Sequence, residues 1–368
     1  MKIGILGGGQ LGRMLIQQAL KYDDTWEVLD PSANAPCANI ARHTLGSFAD
    51  YNAVLEFGRK VDVLSIEIEH VNAQALADLE KEGIKVIPNA KAISMIQSKI
   101  MQKAFYVQHG IPTASYQAIQ TVSQINFPTP FVQKTSTGGY DGKGVQIIRS
   151  KEEMHKLWDV PSVIESLIDI EKELSVIVAR NEKGETAVFP ITEMVADPEL
   201  NLLDFNVCPA EISKDVHAQI QTISDAFLSA VDSPGLFAIE LLLDKQGKVW
   251  VNEVAPRLHN SGHQTQEGNA NSQFEQMYRI LKGFPLADTN SIGYSGMLNL
   301  VGAAGYSGRV QYEGLDKVLT LSRTYVHLYG KEQTQPGRKM GHINVVRDSR
   351  EELLDMLLKI KKMVRVIS

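Results

Sequence analysis

The chain has little that would tie it to an oxidising compartment or a membrane. It contains two cysteines, Cys37 and Cys208, too few and too far apart for a disulfide framework or a clustered metal site. They read as reduced thiols, so the expected location is the cytoplasm. No apolar run approaches the ~18 residues that a membrane span needs, which sets aside a membrane role. The opening Met1-Lys2-Ile3-Gly4-Ile5-Leu6 carries one cation and passes directly into glycines. It lacks the longer apolar stretch of a secretory leader and reads as a first strand. An excess of positive charge is also missing, and a formal net charge of −6 argues against broad nucleic-acid binding. Phosphorylated small molecules are not excluded. Screening confines exposed fields to about 8 Å at physiological salt, so a local group of Lys and Arg decides phosphate binding. Internal repeats and low-complexity tracts are absent too.

What is present is a chain of 368 residues, long enough for two or three domains around a cleft, with 43% hydrophobic and 22% charged residues. The first ~95 residues alternate strand and helix signals. Residues 2–6 are a short apolar run, and Leu11, Met14, Leu15 and Ala19 follow at helical spacing. Strands are predicted over 26–29, 61–66 and 85–87, with helices between them, one capped by Asp50. This rhythm predicts a parallel sheet covered by helices. Ile96, Ile100, Ala104 and Val107 predict one further helical stripe ending at Gly110 and Pro112. Strand signals then dominate at 131–134, 145–148, 163–165 and 174–179, as expected for a small α+β unit inserted as a lid. A helix capped by Asp215 and two apolar strands at 236–243 and 249–254 come next. Short strands and a closing helix over 351–363 complete an α/β and α+β multidomain chain.

Four groups of residues point to chemistry. Gly7-Gly8-Gly9-Gln10-Leu11-Gly12 fits G-x-G-x-x-G between a predicted strand and helix, and Asp30 lies eighteen residues after Gly12. A dinucleotide, another anionic ligand and plain tight packing all remain open for this motif. Residues 134–144 hold Lys134, Lys143 and the glycines Gly138, Gly139, Gly142 and Gly144. Free backbone N–H groups in such a loop favour a phosphate, although Asp141-Gly142 also suits an ordinary hairpin turn. It is no Walker loop, because Gly144 follows Lys143 where Ser or Thr would bind the metal.

Glu240 and Glu253 each interrupt an otherwise apolar strand. Burying a carboxylate there is costly unless it is paired or metal-bound, and Mg²⁺ favours one or two carboxylates plus nucleotide phosphates. Strict alternation would instead let each face solvent. Arg257, His259, Asn260 and His263 crowd the loop that follows. The intervening Asn260-Ser261-Gly262 breaks the helix that a paired-histidine zinc site needs, and an arginine clamping developing phosphoryl charge fits better. The last group is Lys331 with Arg338 and Lys339 after Pro336-Gly337, either a solvated surface or a substrate-phosphate site.

Taken together, residues 7–14, 67–71, 138–144, 252–263, 272–275 and 336–342 resemble the ATP-grasp superfamily and, within it, the N5-carboxyaminoimidazole ribonucleotide synthetase family. The resemblance implies a Rossmann-like domain over 1–95, an ATP-grasp domain over 96–286 with a mobile lid at about 113–166, and a small β-rich C-terminal domain over 287–368. It implies ATP and Mg²⁺ (or Mn²⁺) as cofactors without NAD or zinc, bicarbonate and 5-aminoimidazole ribonucleotide as substrates, and a homodimer. Lys99 and Lys134 match the ATP-phosphate cations, and Gly139, Tyr140, Asp141, Gly142, Lys143, Gly144 and Val145 match the lid loop. Glu165, Ser166, Leu167 and Ile168 match the adenine-reading hinge, Glu173 the ribose carboxylate, and Asn252 and Glu253, with Glu240, the metal-side contacts.

Gln10, Leu11, Glu69, Asn260, Lys331, Arg338 and Lys339 resemble the ribonucleotide pocket, with Tyr140, Asp141, Arg257 and His259 between the two ligands. Asp141 and His259 both stand as acceptors for the substrate amine proton. The chain departs from the family near Ala196, where a His is common, near Glu211, where an Arg is common, and over 197–208. An NAD-dependent oxidoreductase, a sibling ligase for formate or another carboxylate, and a non-catalytic nucleotide sensor are the rival readings.

Overall fold

The computed structural model describes residues 1–139, 144–197 and 202–368. Its first part is the predicted parallel sheet. The elements run β1 (Lys2–Leu6), α1 (Gln10–Ala19), β2 (Thr25–Asp30), β3 (Arg42–Leu45), α2 (Tyr51–Gly58), β4 (Val63–Ile66), α3 (Ala73–Lys81), β5 (Lys85–Val86) and α4 (Ala90–Gln97). The strand order is β3-β2-β1-β4-β5, with each neighbouring pair parallel. Helices cover both faces, so β4 is buried at every residue and reads as a continuous apolar run. β3 escapes prediction because Arg42-His43-Thr44-Leu45 carries no apolar pattern. Asp50 caps α2 as expected, accepting from the Ala53 N–H at 2.8 Å.

The predicted stripe through Ile96, Ile100, Ala104 and Val107 is not one helix. Ser98 is extended (φ −115°, ψ 116°) and caps α5 (Lys99–Gln108), separating it from α4. The break resets the helical phase, so α5 buries Gln102, Lys103 and Tyr106 and leaves Val107 exposed. The boundary expected after residue 95 falls inside α4. Ala90 and Ile93 of that helix join the core of the first sheet, and Ala92 and Ile96 join the core of the central one.

The expected inserted unit is an antiparallel sheet of β6 (Tyr116–Ile119), β7 (Phe131–Thr135), β8 (Val145–Ile148) and β9 (Ser162–Ser166), ordered β6-β9-β7-β8. A long sheet follows from β10 (Ile170–Arg180), β11 (Thr186–Val188), β12 (Thr192–Asp197), β13 (Leu202–Cys208), β14 (Gly235–Asp244) and β15 (Val249–Ala255). α6 (Lys214–Ala230) packs on it and is capped by Ser213, not by Asp215, which sits in the first turn. The turn α7 (Thr265–Gly268) and helix α8 (Gln273–Lys282) lead to the last segment. That segment holds β16 (Tyr294–Val301), β17 (Gly308–Arg309), β18 (Gln311–Glu313), α9 (Leu315–Val318), β19 (Thr324–Leu328), β20 (Gln333–Thr334), β21 (Lys339–Arg347), α10 (Arg350–Met363) and β22 (Arg365–Ile367). β16, β21 and β19 do not form a separate sheet. They extend the central one, in the order β15-β14-β10-β12-β13-β16-β21-β19.

Alternation along β14 sends Phe237, Ile239 and Leu241 toward α6 and Leu236 and Ala238 toward α8 and the first domain. The first domain docks there through α1 and α8. Tyr22 stacks on Tyr278 with ring centroids 4.3 Å apart. The buried Glu275 carboxylate accepts from Tyr22 Oη (2.7 Å) and Gln18 Nε2 (3.2 Å) and pairs with Lys21 and Arg279. Burial pushes this carboxyl up, but those partners outweigh it and hold it at about 2. Among the described residues no helix is long and apolar enough to cross a membrane.

Three imidazoles stack where the loop after β15 meets the last segment. The His263 and His342 centroids lie 4.6 Å apart, and those of His342 and His327 lie 4.5 Å apart. The stack is held by the Tyr329 hydroxyl at His342 Nδ1 (2.9 Å) and by Glu267 at His327 Nε2 (3.1 Å). Burial first, then neighbouring positive charge (His259 and His327 at His263, His263 and His327 at His342), holds both rings well below the usual imidazole range. Both rings therefore stay neutral in the fold, whereas the unfolded chain takes up protons as pH drops below about 6.5. Stability should accordingly be level above that pH and fall below it, by up to about 1.4 kcal/mol per pH unit for each ring. Thermal unfolding followed from pH 7.5 to 5.5 checks this. His342→Asn should flatten the slope, and an unchanged slope would exclude the stack as its source.

Candidate active site

The two strand carboxylates face each other. Glu240 on β14 is the cross-strand partner of Glu253 on β15. A β-bulge follows at once, since the register passes from Glu240–Glu253 to Leu241–Val251 and leaves Asn252 as the extra residue. A bulge cancels alternation locally, so Asn252 and Glu253 both turn away from the core while Val249, Val251 and Val254 stay in it. Asn252 Nδ2 lies 3.5 Å from Glu240 Oε2. Ser175 pairs with Glu240 on the next strand, so Ser175 and Glu173 line the same face.

Lysines gather over these carboxylates. Lys99, at the start of α5, is ion-paired with Glu253. Lys134, near the end of β7, donates to Asn252 Oδ1 (2.6 Å) and pairs with Glu165. His259 Nε2 lies 3.3 Å from Glu240 Oε1, and its Nδ1 lies 2.8 Å from Ser261 Oγ. Burial pushes Glu240 up, yet His259, Lys99 and Asn252 outweigh it and leave the carboxyl below its ordinary value. For Lys99, burial is likewise outweighed by Glu253 and Glu240, and its pKa is raised. For Glu173 no cation among the described residues offsets burial, and burial, then the Glu240 charge, pushes it up.

A second group adjoins the first at the loop after β15. Arg257 Nη2 lies 2.6 Å from Glu69 Oε1. Burial pushes Glu69 up, but the guanidinium outweighs it and the net shift is downward. Lys331 donates to the Lys339 carbonyl at 2.8 Å, Arg338 donates to the Gln333 carbonyl at 2.8 Å, and Asn260 Nδ2 reaches Asn299 Oδ1 at 3.3 Å. Gln10 and Leu11 open α1 on the same side, with Leu11 buried.

Of the remaining expected residues, Ser166 donates its N–H to the Ser115 carbonyl, Leu167 is exposed and Ile168 is half-buried. Val145 pairs with Lys134, and the Gly144 carbonyl accepts from Thr135 beside Gly139. Tyr140, Asp141, Gly142 and Lys143 lie outside the described residues.

The glycine-rich turn is filled from inside. Glu67 Oε1 accepts from the Leu11 N–H at 3.1 Å, at the N-terminus of α1. A Cβ on Gly9 would stand 2.3 Å from that oxygen, and one on Gly7 would stand 3.1 Å from Oε2. Asp30 is engaged as well, by the Gly8 N–H (2.7 Å) and the Ser32 N–H (2.8 Å). The groups a dinucleotide would use are therefore bonded within the chain. Burial is the main reason that Glu67 is pushed up to about 7, with Arg257, the Leu11 N–H and Lys331 pulling the other way. Sequence reasoning gave Glu67 no role beyond its place in the 67–71 motif and passed over Lys103. Each is a charged residue at a position that buries it, and only the fold shows what it meets.

Family models match three segments in order: a ribonucleotide synthetase preATP-grasp domain over 1–97, an ATP-grasp domain over 104–274 and a phosphoribosylaminoimidazole carboxylase C-terminal domain over 295–356. The N5-carboxyaminoimidazole ribonucleotide synthase of Synechococcus elongatus is 34% identical across 93% of this chain and 89% of its own length. The chain belongs to the N5-carboxyaminoimidazole ribonucleotide synthase family. The synthetase structure from Thermotoga maritima is 37% identical, with a TM-score of 0.93 over 100% of this chain and 99% of that one. An Aspergillus clavatus synthase structure, in complex with ADP and 5-aminoimidazole ribonucleotide, is 30% identical with a TM-score of 0.87 over 97% and 98% of the two chains. The chain spans about two thirds of the length of the fungal and plant carboxylases it matches.

A divalent cation such as magnesium would need hard oxygen donors. Glu240, Glu253 and the Asn252 amide oxygen supply them on one face. No three His, Cys, Asp or Glu side chains converge among the described residues. That set suits a cation whose shell is completed by phosphate oxygens and water. Of the departures from the family, Ala196 is exposed on β12 and Glu211 pairs with Arg350, while residues 198–201 of the third lie outside the described residues.

The Glu67 plug predicts a steric cost with no backbone strain, since Gly9 has φ −72°. Gly9→Ala should lose about 1–3 kcal/mol of stability by overpacking. Chemical denaturation measures this. Wild-type stability would mean that Glu67 moves aside freely.

Proposed function

We propose that the chain carboxylates 5-aminoimidazole ribonucleotide with bicarbonate and ATP, forming N5-carboxyaminoimidazole ribonucleotide through carboxyphosphate in purine biosynthesis. The observation that carries this reading is the opposition of Glu240 and Glu253 beneath Lys99 and Lys134, joined through His259 and Arg257 to the Glu67–Glu69–Lys331 group. A relative of the same fold is described in complex with ADP and the aminoimidazole ribonucleotide.

Bicarbonate is a poor electrophile, because attack must expel hydroxide from an anion. Transfer of the γ-phosphoryl group to a bicarbonate oxygen installs phosphate as the leaving group. Magnesium bound at Glu240, Glu253 and Asn252 would spread phosphate charge and orient the triphosphate. Lys99 and Lys134 hold the phosphates, and Arg257 steadies the charge that develops on the transferred group. The β6–β9 sheet, with the loop at 139–145, covers the nucleotide and excludes water from the labile intermediate. Residues 165–168 read adenine, and Glu173 reads the ribose.

Gln10, Leu11, Glu69, Asn260, Lys331, Arg338 and Lys339 form the ribonucleotide pocket, its cations placed for a phosphate. The substrate amine attacks the activated carbonyl and loses its proton to His259 or Asp141, beside Tyr140. The charged-pair geometry at Glu240–Glu253 has no use in hydride transfer, which disfavours the oxidoreductase reading. Free, buried thiols at Cys37 and Cys208 fit a reducing compartment, and the reaction is assigned to the cytoplasm.

ADP release measured with bicarbonate and aminoimidazole ribonucleotide omitted in turn tests the reaction. Both omissions should lower product formation, whereas release that ignores bicarbonate would point to another carboxylate. Glu253→Gln should cut turnover by at least about 10² with the fold intact. Wild-type turnover in that variant would refute the metal assignment. The chain is further expected to be a homodimer, and a monomer mass by light scattering at assay concentration would overturn that.

A further inference from the structure

Lys103 lies one helical turn after Lys99, on the face of α5 that points into the protein, and is 3% exposed. Its ammonium lies 2.5 Å from Glu165 Oε2 and donates to Thr113 Oγ1 at 2.6 Å. The Thr113 hydroxyl in turn donates to the Val251 carbonyl at 2.9 Å, the residue next to the bulge. Glu165, also 3% exposed, meets Lys134 with its other oxygen, Oε1. Lys134 continues to Asn252 Oδ1 at 2.6 Å. One buried carboxylate is thus shared by two ammonium groups from different elements, α5 and β7.

The charge count matters. Glu165 with Lys134 alone would be a neutral pair, and a buried pair in low dielectric holds its charges strongly to each other. Such a pair has little attraction left for a third party. A second ammonium on the far oxygen leaves the triad at +1. We propose that Lys103 is a positioning residue, whose ion pair with the inner oxygen of Glu165 lets Lys134 keep its charge for the nucleotide phosphates. Lys103 does not reach the ligand itself, being buried and fully engaged by Glu165 and Thr113. Thr113 and Val251 tie it to β15 beside the bulge, and Glu165 ties it to β9. Burial raises the Glu165 carboxyl, but the two lysines outweigh it, which keeps it ionised as this arrangement requires.

This assignment rests on the ATP reading of the cleft, and the test separates the two. Calorimetry of wild-type protein with Mg-ATP comes first; no binding there overturns the reading and the assignment together. With binding established, Lys103→Met should lower kcat/KM for ATP by roughly tenfold or more, by analogy with misplaced ligand-holding groups. The KM for aminoimidazole ribonucleotide should stay within about twofold. Lys103→Arg should keep most of the wild-type kcat/KM for ATP, because the charge facing Glu165 is retained, whereas a packing role would leave it as impaired as Lys103→Met. ATP kinetics unchanged in a folded Lys103→Met, equal losses for both substrates, or an equal loss in Lys103→Arg would each overturn the proposal. If Lys103→Met does not fold, Lys103→Gln carries the test in its place: ATP kinetics impaired tenfold with the ribonucleotide KM held supports the proposal, and near-normal ATP kinetics overturns it.

Discussion

A carboxylate placed within an apolar sheet has to be neutralised where it stands, and this constraint shapes the whole cleft. Glu240 and Glu253 confront each other across β14 and β15, so each needs a cation. His259 answers one and Lys99 the other. The same logic repeats at Glu165 between Lys103 and Lys134, at Glu69 beneath Arg257, and at Glu275 in the docking of α1 on α8. These counter-ions come from the first domain, α5, the inserted sheet and the loop after β15. The requirement for charge compensation therefore pulls four parts of the chain onto one face of the central sheet.

Much of this was legible in the sequence, because paired acids in apolar strands and clustered lysines beside glycines are conspicuous. The strands around Glu240 and Glu253 came out nearly to the residue, since buried strands read as apolar runs. The bulge did not, because one extra residue in a ladder has no signature in composition. It nevertheless decides that Asn252 and Glu253 share a face. The stripe from Ile96 to Val107 misled for a related reason. An extended Ser98 between two helices shifts the phase, and periodicity carried across it counts positions on different helices.

The glycine motif shows how a pattern can be right about geometry and neutral about the ligand. Its glycines make a tight turn into α1 with N–H groups free to meet an anion, as the spacing implied. The anion is the chain's own Glu67, and the ribose-type acid Asp30 is spent on Gly8. A fingerprint read from spacing reports a concave helix start. What fills it depends on a residue some sixty positions downstream, close in space only because β1 and β4 are neighbours in a parallel sheet.

The continuity of the central sheet has a mechanical consequence. β13 and β16 exchange main-chain hydrogen bonds, so the last segment is welded edge to edge onto the body that carries Glu240 and Glu253. A joint of that kind resists hinging, since any rotation would shear a whole ladder at once. β19 and β21, which flank Lys331 and Arg338 and carry Lys339, consequently share one sheet with the strands of Glu240 and Glu253, whereas β6–β9 form a sheet of their own.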